Sequence, residues 1–253
     1  MSFVIQKEEG PLTRIILNRP EVKNSLNEEL ISELTTALLK VFRDKDCRLV
    51  ILSGQDGFFC AGADLQWMKE IVSTSKKTLA KRAAGFQRLL SLLNDSPRPT
   101  IAQISGGAAG GGLGLIACCD IAIASEESSF VFREVKVGLI PALISPYLIA
   151  KTGSSWARRY FLTGERFSAQ EAKRVGLLHE VVPGEQLESK TMTVARELFT
   201  SGPEAVQRCK KLVKSRSGSR RALRELLSVS SSKEAREGIQ AFLAGRKPSW
   251  SIG

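Results

Sequence analysis

Histidine is almost missing from this chain of 253 residues: there is one, His179. A Ser-His-Asp or Cys-His system needs an imidazole to carry its proton, and a zinc site leans on imidazole or thiolate ligands at close spacing. His179 stands beside Glu180 in GLLHEVV with no such partner near, so its expected role is structural. The five cysteines, Cys47, Cys60, Cys118, Cys119 and Cys209, are odd in number and have no metal-ligand spacing. They argue against a disulfide framework and are expected to be reduced core residues. No apolar run approaches the ~18 residues that cross a bilayer. The opening MSFVIQKEEG lacks a basic stretch followed by an apolar segment and a cleavage site, so the expectation is a cytoplasmic protein without a secretory signal.

Charge of one sign is plentiful. The formal net charge is +11, and RCKKLVKSRSGSRR, residues 208–221, contains no acid. Such an excess favours an anionic partner, which could be nucleic acid or a phosphorylated cofactor. Aromatic residues make up only 6% and do not interleave with the basic ones, so a base-stacking surface is disfavoured against a solvated helical face with some attraction for phosphate. RNA binding stays open as an alternative if the basic residues between Arg208 and Arg224 form one exposed stripe.

Along the chain, FVIQKE and LTRIILN are two β-like runs joined by EGPL, which predicts a hairpin. In NEELISELTTALLKVFRD, Leu30, Ile31, Leu34, Leu38, Val41 and Phe42 recur at helical spacing behind a capping Asn27. RLVILSG reads as a buried parallel strand feeding the loop FFCAGADL. A helix over 75–94 ends at DSPRP, the strand TIAQIS runs into GGAAGGGLG, and LGLIACC and DIAIAS read as buried helix and strand. This alternation is α/β in character. From about Ser168 onward the pattern is helical.

The glycine cluster admits several readings. A dinucleotide fingerprint would have to follow the first strand, and a phosphate loop would end in Gly-Lys-Ser/Thr; neither condition is met. Glycines also permit close strand-helix packing, or they let a ligand reach free N–H groups at a helix start, where developing negative charge is favoured. FFCAGADL offers a second loop of small residues after a strand. Two such loops can each aim one amide at a single oxygen, the geometry that stabilises a thioester enolate.

LNRPEVKNSLN, FFCAGADL, GGAAGGGLGLIACCDIAIAS, FVFREVKVGLIP and LTGERFSAQEAKRVGLLHEVV resemble, in order and over nearly the whole chain, the signatures of the enoyl-CoA hydratase/isomerase (crotonase) superfamily. The resemblance implies a crotonase (ClpP-like) spiral of β-β-α units over residues 1–195. Residues 196–253 would then be a helical region used for trimer contacts, often within a hexamer. It implies a substrate carried as a coenzyme A thioester and no prosthetic group or metal. Matched residue by residue, the oxyanion-hole amides fall on Ala63 and Gly111. Ala61, Ala63 and Leu65 match the adenine-holding loop, and Lys23 the segment lining the CoA. Phe242 matches a CoA-facing phenylalanine; Gly245 takes the usual lysine position, leaving Arg246 or Lys247 to substitute.

Hydratases of this superfamily use two glutamates. Glu134 in FVFRE matches the second, the alternative for it being a surface acid paired with Arg133 or Lys136. GGGLG puts Gly114 where the first belongs. One carboxylate suffices to carry a proton along a bound enolate, so an isomerase remains an alternative, and a decarboxylase, which needs the oxyanion hole above all, is another. The stretch REVKVGLIPALISPYLIAKTG is similar to bacterial methylglutaconyl-CoA and isohexenylglutaconyl-CoA hydratases, which implies a branched 2-enoyl-CoA substrate.

Overall fold

The computed structural model describes residues 2–71, 73–214 and 219–252. The first two strands, β1 (Val4–Glu9) and β2 (Leu12–Leu17), form the expected antiparallel hairpin. Helix α1 (Glu28–Arg43) follows, with the Asn27 side chain accepting from the Leu30 amide at 2.9 Å. That bond satisfies one of the four donors a helix start leaves free. Leu30, Ile31, Leu34, Leu38 and Val41 line its buried face. At ~1.5–3 kcal/mol per fully buried aliphatic side chain, this stripe rather than helix propensity holds α1 in place.

Next come β3 (Leu49–Gly54), α2 (Leu65–Ile71), α3 (Lys76–Asn94) and β4 (Thr100–Ile104). A short strand, β5 (Gly107–Ala109), lies inside the glycine cluster, which sequence patterning reads as loop throughout. Helix α4 (Gly111–Cys118) is buried from Gly112 onward, explaining why its sequence shows no polar face. After β6 (Ile121–Ser125) and β7 (Ser129–Val131) come α5 (Ser145–Thr163), β8 (Arg166–Ser168), α6 (Ala169–Arg174), β9 (Glu180–Val182) and α7 (Leu187–Thr200). Strand β9 corrects the expectation of helical structure from about Ser168 onward, and β8, which ends at Ser168, also goes unread in the sequence. Three residues each are too few for an alternating pattern to register.

Strands β1-β2-β3-β4-β6-β9 make one sheet, parallel from β2 onward. Strands β5-β7-β8 make a second. One core joins the large sheet to α1, α3 and α4; on its other face Leu12, Leu49, Ile51, Ile101 and Ile123 meet Leu187, Ala195 and Phe199 of α7. Residues 195 and 196 both lie inside α7, so the expected division of the chain falls within a helix. Beyond it, α8 (Pro203–Lys214), α9 (Ser219–Ser230) and α10 (Lys233–Leu243) are helical, as anticipated. Four cysteines are buried; Cys209 is exposed, because it sits on the open side of the amphipathic α8.

Candidate functional site

Three loops meet at the N-terminus of α4. The first, residues 18–27, is tied to the second by the buried Asn24. Its side chain accepts from the Arg19 amide at 2.8 Å and donates to the Gln55 and Phe58 carbonyls at 2.9 and 2.7 Å. The second loop, residues 58–64, lies alongside: Ala61 N donates to Lys23 O, Leu26 N to Gly62 O and Asp64 N to Leu26 O. Backbone amides alternate in direction along an extended segment. With Asp64 N spent on Leu26, the Ala63 amide has no acceptor among the described residues.

The third loop, residues 106–111, approaches because Gly62 of the second loop has no side chain and the third loop is rich in glycine. A β-carbon on Gly62, which has φ +86°, would lie 2.6 Å from the Ala109 carbonyl oxygen and 3.4 Å from Gly111 N. Gly111 is the first residue of α4, so its amide has no acceptor within the helix and joins the positive dipole end. Gly62 and Gly111 are thus neighbours, and neither the Ala63 nor the Gly111 amide has an acceptor among the described residues.

Glu134 reaches the same place from the end of β7. Gly110 N donates to Val131 O at 3.1 Å, which locks β7 to the start of α4. The Glu134 carboxylate then lies against Gly110, with Oε1 3.0 Å from where a β-carbon there would sit. Oε2 is shielded from solvent and has no hydrogen-bond partner among the described residues. Burial raises its pKa above the ordinary value, opposed only by its own backbone amide. No ion pair to Arg133 or Lys136 occurs among the described residues, so the surface-pair alternative has no support.

Gly114 is not a vacancy. A β-carbon there would fall on the Cγ2 methyl of Ile144 and lie 3.4 Å from Leu90 Cδ2. Ile144, from the segment GLIPALIS, is 3% exposed and fills the position of the missing carboxylate.

Of the remaining expected contacts, Ala61 and an exposed Lys23 lie at the loop junction, with Lys23 Nζ 5.5 Å from the Phe58 ring centre. Leu65 begins α2, and its side chain lies outside the described residues. Phe242 on α10 is 84% exposed. Arg246 is bound to Glu237 by two hydrogen bonds of 2.8 and 2.9 Å, so it is not free for a phosphate as it stands.

Sequence patterning gives no warning of Asn24, Ile144 or the Arg19–Asp64 ion pair, 2.9 Å long with both side chains 12% exposed. Burial pushes the Asp64 carboxyl up, but the Gln66 amide and Arg19 more than offset it, and it sits below the usual value. His179 accepts the Ala122 amide on Nδ1 at 3.0 Å, a structural role. Most basic residues of α8 are paired with acids: Arg208 with Glu204, Lys210 with Asp120 and Lys214 with Asp95, while Lys211 and, on α9, Arg224 are exposed. Arg216 and the side chains of Arg220 and Arg221 lie outside the described residues.

Residues 7–252 match the family model described as enoyl-CoA hydratase/isomerase. Enoyl-CoA hydratase domain-containing protein 3, mitochondrial, of Danio rerio is 32% identical over 99% of this chain and 88% of its own. Enoyl-CoA hydratase ACTT6 of Alternaria alternata is 33% identical over 95% and 81%. An enoyl-CoA hydratase structure from Shewanella pealeana superposes with a TM-score of 0.93, 34% identity and coverage of 98% of this chain and 96% of that one.

Proposed function

Since the chain belongs to the enoyl-CoA hydratase/isomerase family, whose members act on enoyl-CoA thioesters, we propose that it adds water to a branched 2-enoyl-CoA of the methylglutaconyl type, or removes it, with one carboxylate. The observation supporting this reading is the Glu134 carboxylate against Gly110, its Oε2 shielded and unpartnered among the described residues, with the unbonded amides of Ala63 and Gly111 on the adjoining loops.

In the hydration direction Glu134 takes a proton from water as the oxygen bonds to C3. The displaced electron pair moves to the thioester oxygen, where Ala63 N–H and Gly111 N–H hold the enolate. The enolate then collapses and C2 takes the proton back from Glu134, so water is added and the carboxylate returns. Two oriented donors at ~3 kcal/mol each outweigh what one acid/base group supplies, ~10²–10⁴-fold. The loops are therefore the larger contributors. In this reading, the second carboxylate of a methylglutaconyl-type acyl group takes part of the role that other hydratases give to a glutamate at position 114.

A specific observation favours a second reading. Ile144 and Leu90 make the wall at Gly114 apolar, and a double-bond isomerase needs only Glu134 to move a proton from C2 to C4 of a dienolate. Steady-state assays with 3-methylglutaconyl-CoA, crotonyl-CoA and a 3-enoyl-CoA decide between them: hydration of a 2-enoyl substrate supports the first reading, and turnover of the 3-enoyl substrate alone supports the second.

The active form is proposed to be a homotrimer or a hexamer. Leu223, Leu226 and Leu227 on α9 and Ile239, Phe242 and Leu243 on α10 are 56–84% exposed, an apolar face of the kind that further copies of the chain would cover. The CoA moiety is assigned to Lys23, Ala61, Ala63 and Leu65, with Phe242 as a further contact and Arg246 as one only if it gives up its bonds to Glu237. No role for nucleic acid is proposed, because Arg208, Lys210 and Lys214, three of the four basic side chains of α8, are paired with separate acids.

A further inference from the structure

Helix α4 presents Gly111 at one end; its other end carries an unexpected cation. Lys151 of α5 is partly buried, and among the described residues its one hydrogen bond runs from Nζ to the Ile116 carbonyl oxygen, 3.4 Å away, in the last turn of α4. That carbonyl also accepts the Cys119 amide at 3.2 Å. Burial lowers the pKa of Lys151 from the ordinary lysine value, and the neighbouring Cys119, Asp120 and Cys118 oppose that shift, which keeps the charged form in play. The Cys118 and Cys119 thiols are pushed up by burial and stay protonated. His179 is held down by burial and then by Lys151 itself. The Asp120 carboxylate is engaged by the Thr100 amide and hydroxyl and by Lys210 at 2.6 Å. A cation left without a carboxylate partner is costly to bury, and helix-end carbonyls are the acceptors this one has.

We propose that Lys151 is a positioning residue for the reaction: its ammonium group, seated on the C-terminal carbonyls of α4, strengthens the hold of the Gly111 end of that helix on the enolate oxygen. The inference rests on the oxyanion-hole reading above. At a rise of ~1.5 Å per residue the amine stands roughly 12 Å from the Gly111 amide along the axis. The helix is dry on nearly all sides, so water does little to screen the charge. At an effective dielectric of ~20, a unit charge at that distance is worth about a factor of ten in the stability of an anion. It also offsets the negative end of the dipole that the helix start exploits.

The test uses acetoacetyl-CoA, whose enolate absorbs in the near ultraviolet when bound. The wild-type enzyme, Lys151→Met and Lys151→Arg are titrated at one pH, and their enoyl-CoA kinetics and melting temperatures are measured alongside. The expected result is a five- to tenfold loss of bound enolate and of kcat in Lys151→Met, with KM within about twofold, and recovery of both in Lys151→Arg. A lowered melting temperature with an unchanged enolate fraction makes Lys151 merely structural and overturns the proposal. If Lys151→Met does not fold, Lys151→Gln takes its place with the same expected loss. If the wild-type enzyme itself stabilises no enolate, the oxyanion reading of Ala63 and Gly111 falls first, and that outcome is distinct from a failure of Lys151 alone.

Discussion

Ile144 stands in the place that a side chain at Gly114 would need, with its Cγ2 methyl on the position of the absent β-carbon. The glycine and the isoleucine are two halves of one feature. A hydratase of the two-glutamate kind cannot be restored here by one substitution, because the acid would enter a wall of Ile144 and Leu90.

Gly114→Glu should therefore destabilise the protein without adding activity. Overpacking costs ~1–3 kcal/mol, and an unpaired buried carboxyl adds to it. For a chain of this size the melting temperature should fall by about 5 °C or more. Pairing it with Ile144→Ala should recover part of the loss, which differential scanning fluorimetry would show as non-additivity.

Gly110→Ala should act on chemistry more than on binding. The added methyl meets Glu134 Oε1 at 3.0 Å, and the backbone there has φ +45°. Moving the carboxylate aside should lower kcat by about a hundredfold, with KM changing far less. Equal loss in kcat and 1/KM would argue that Gly110 shapes the thioester site instead.

Glu134→Gln should abolish turnover and raise stability at neutral pH. Burial raises the folded-state pKa of Glu134. The folded protein then binds more protons than the unfolded chain in the window between the ordinary value of 4.5 and the raised one, so stability contributed by this group is full below 4.5 and lost as pH rises through the raised value. The amide removes that loss. As a base, the carboxylate must be ionised, so kcat/KM of the wild-type enzyme should fall on the acid side at a pH above the ordinary glutamate range. CoA-thioester binding to Glu134→Gln should persist in calorimetry.

Leu226→Asp with Leu227→Asp should disperse the assembly. Both leucines are 62% exposed, and burying carboxylates in an apolar subunit contact is strongly unfavourable. Light scattering coupled to size exclusion should move from trimer or hexamer to monomer. An unchanged mass would place the interface elsewhere.

Much of this architecture is legible in the residues. Asn27 with its aliphatic stripe announces α1, and the apolar runs of β3, β4 and β6 announce parallel strands. What patterning misses has a common physical cause. β5, β8 and β9 are three residues long, and their pairing is decided by distant partners. At the candidate site, the matched motifs nominate Ala63, Gly111 and Glu134. The meaning of Gly114 depends on Ile144, thirty positions away, and no local pattern records that contact. Lys151 is hidden for the same reason: its only hydrogen-bond partner among the described residues, Ile116 O, is set by how α5 crosses α4.

The central claim is that Glu134, alone with two backbone amides, adds water to a conjugated thioester. The most direct measurement is the loss of enoyl-thioester absorbance on mixing enzyme with 3-methylglutaconyl-CoA, with mass spectrometry of the product. The account predicts a product heavier by one water with wild-type enzyme and none with Glu134→Gln. Shift of a 3-enoyl-CoA double bond without any hydrated product, or full hydration by Glu134→Gln, would contradict it.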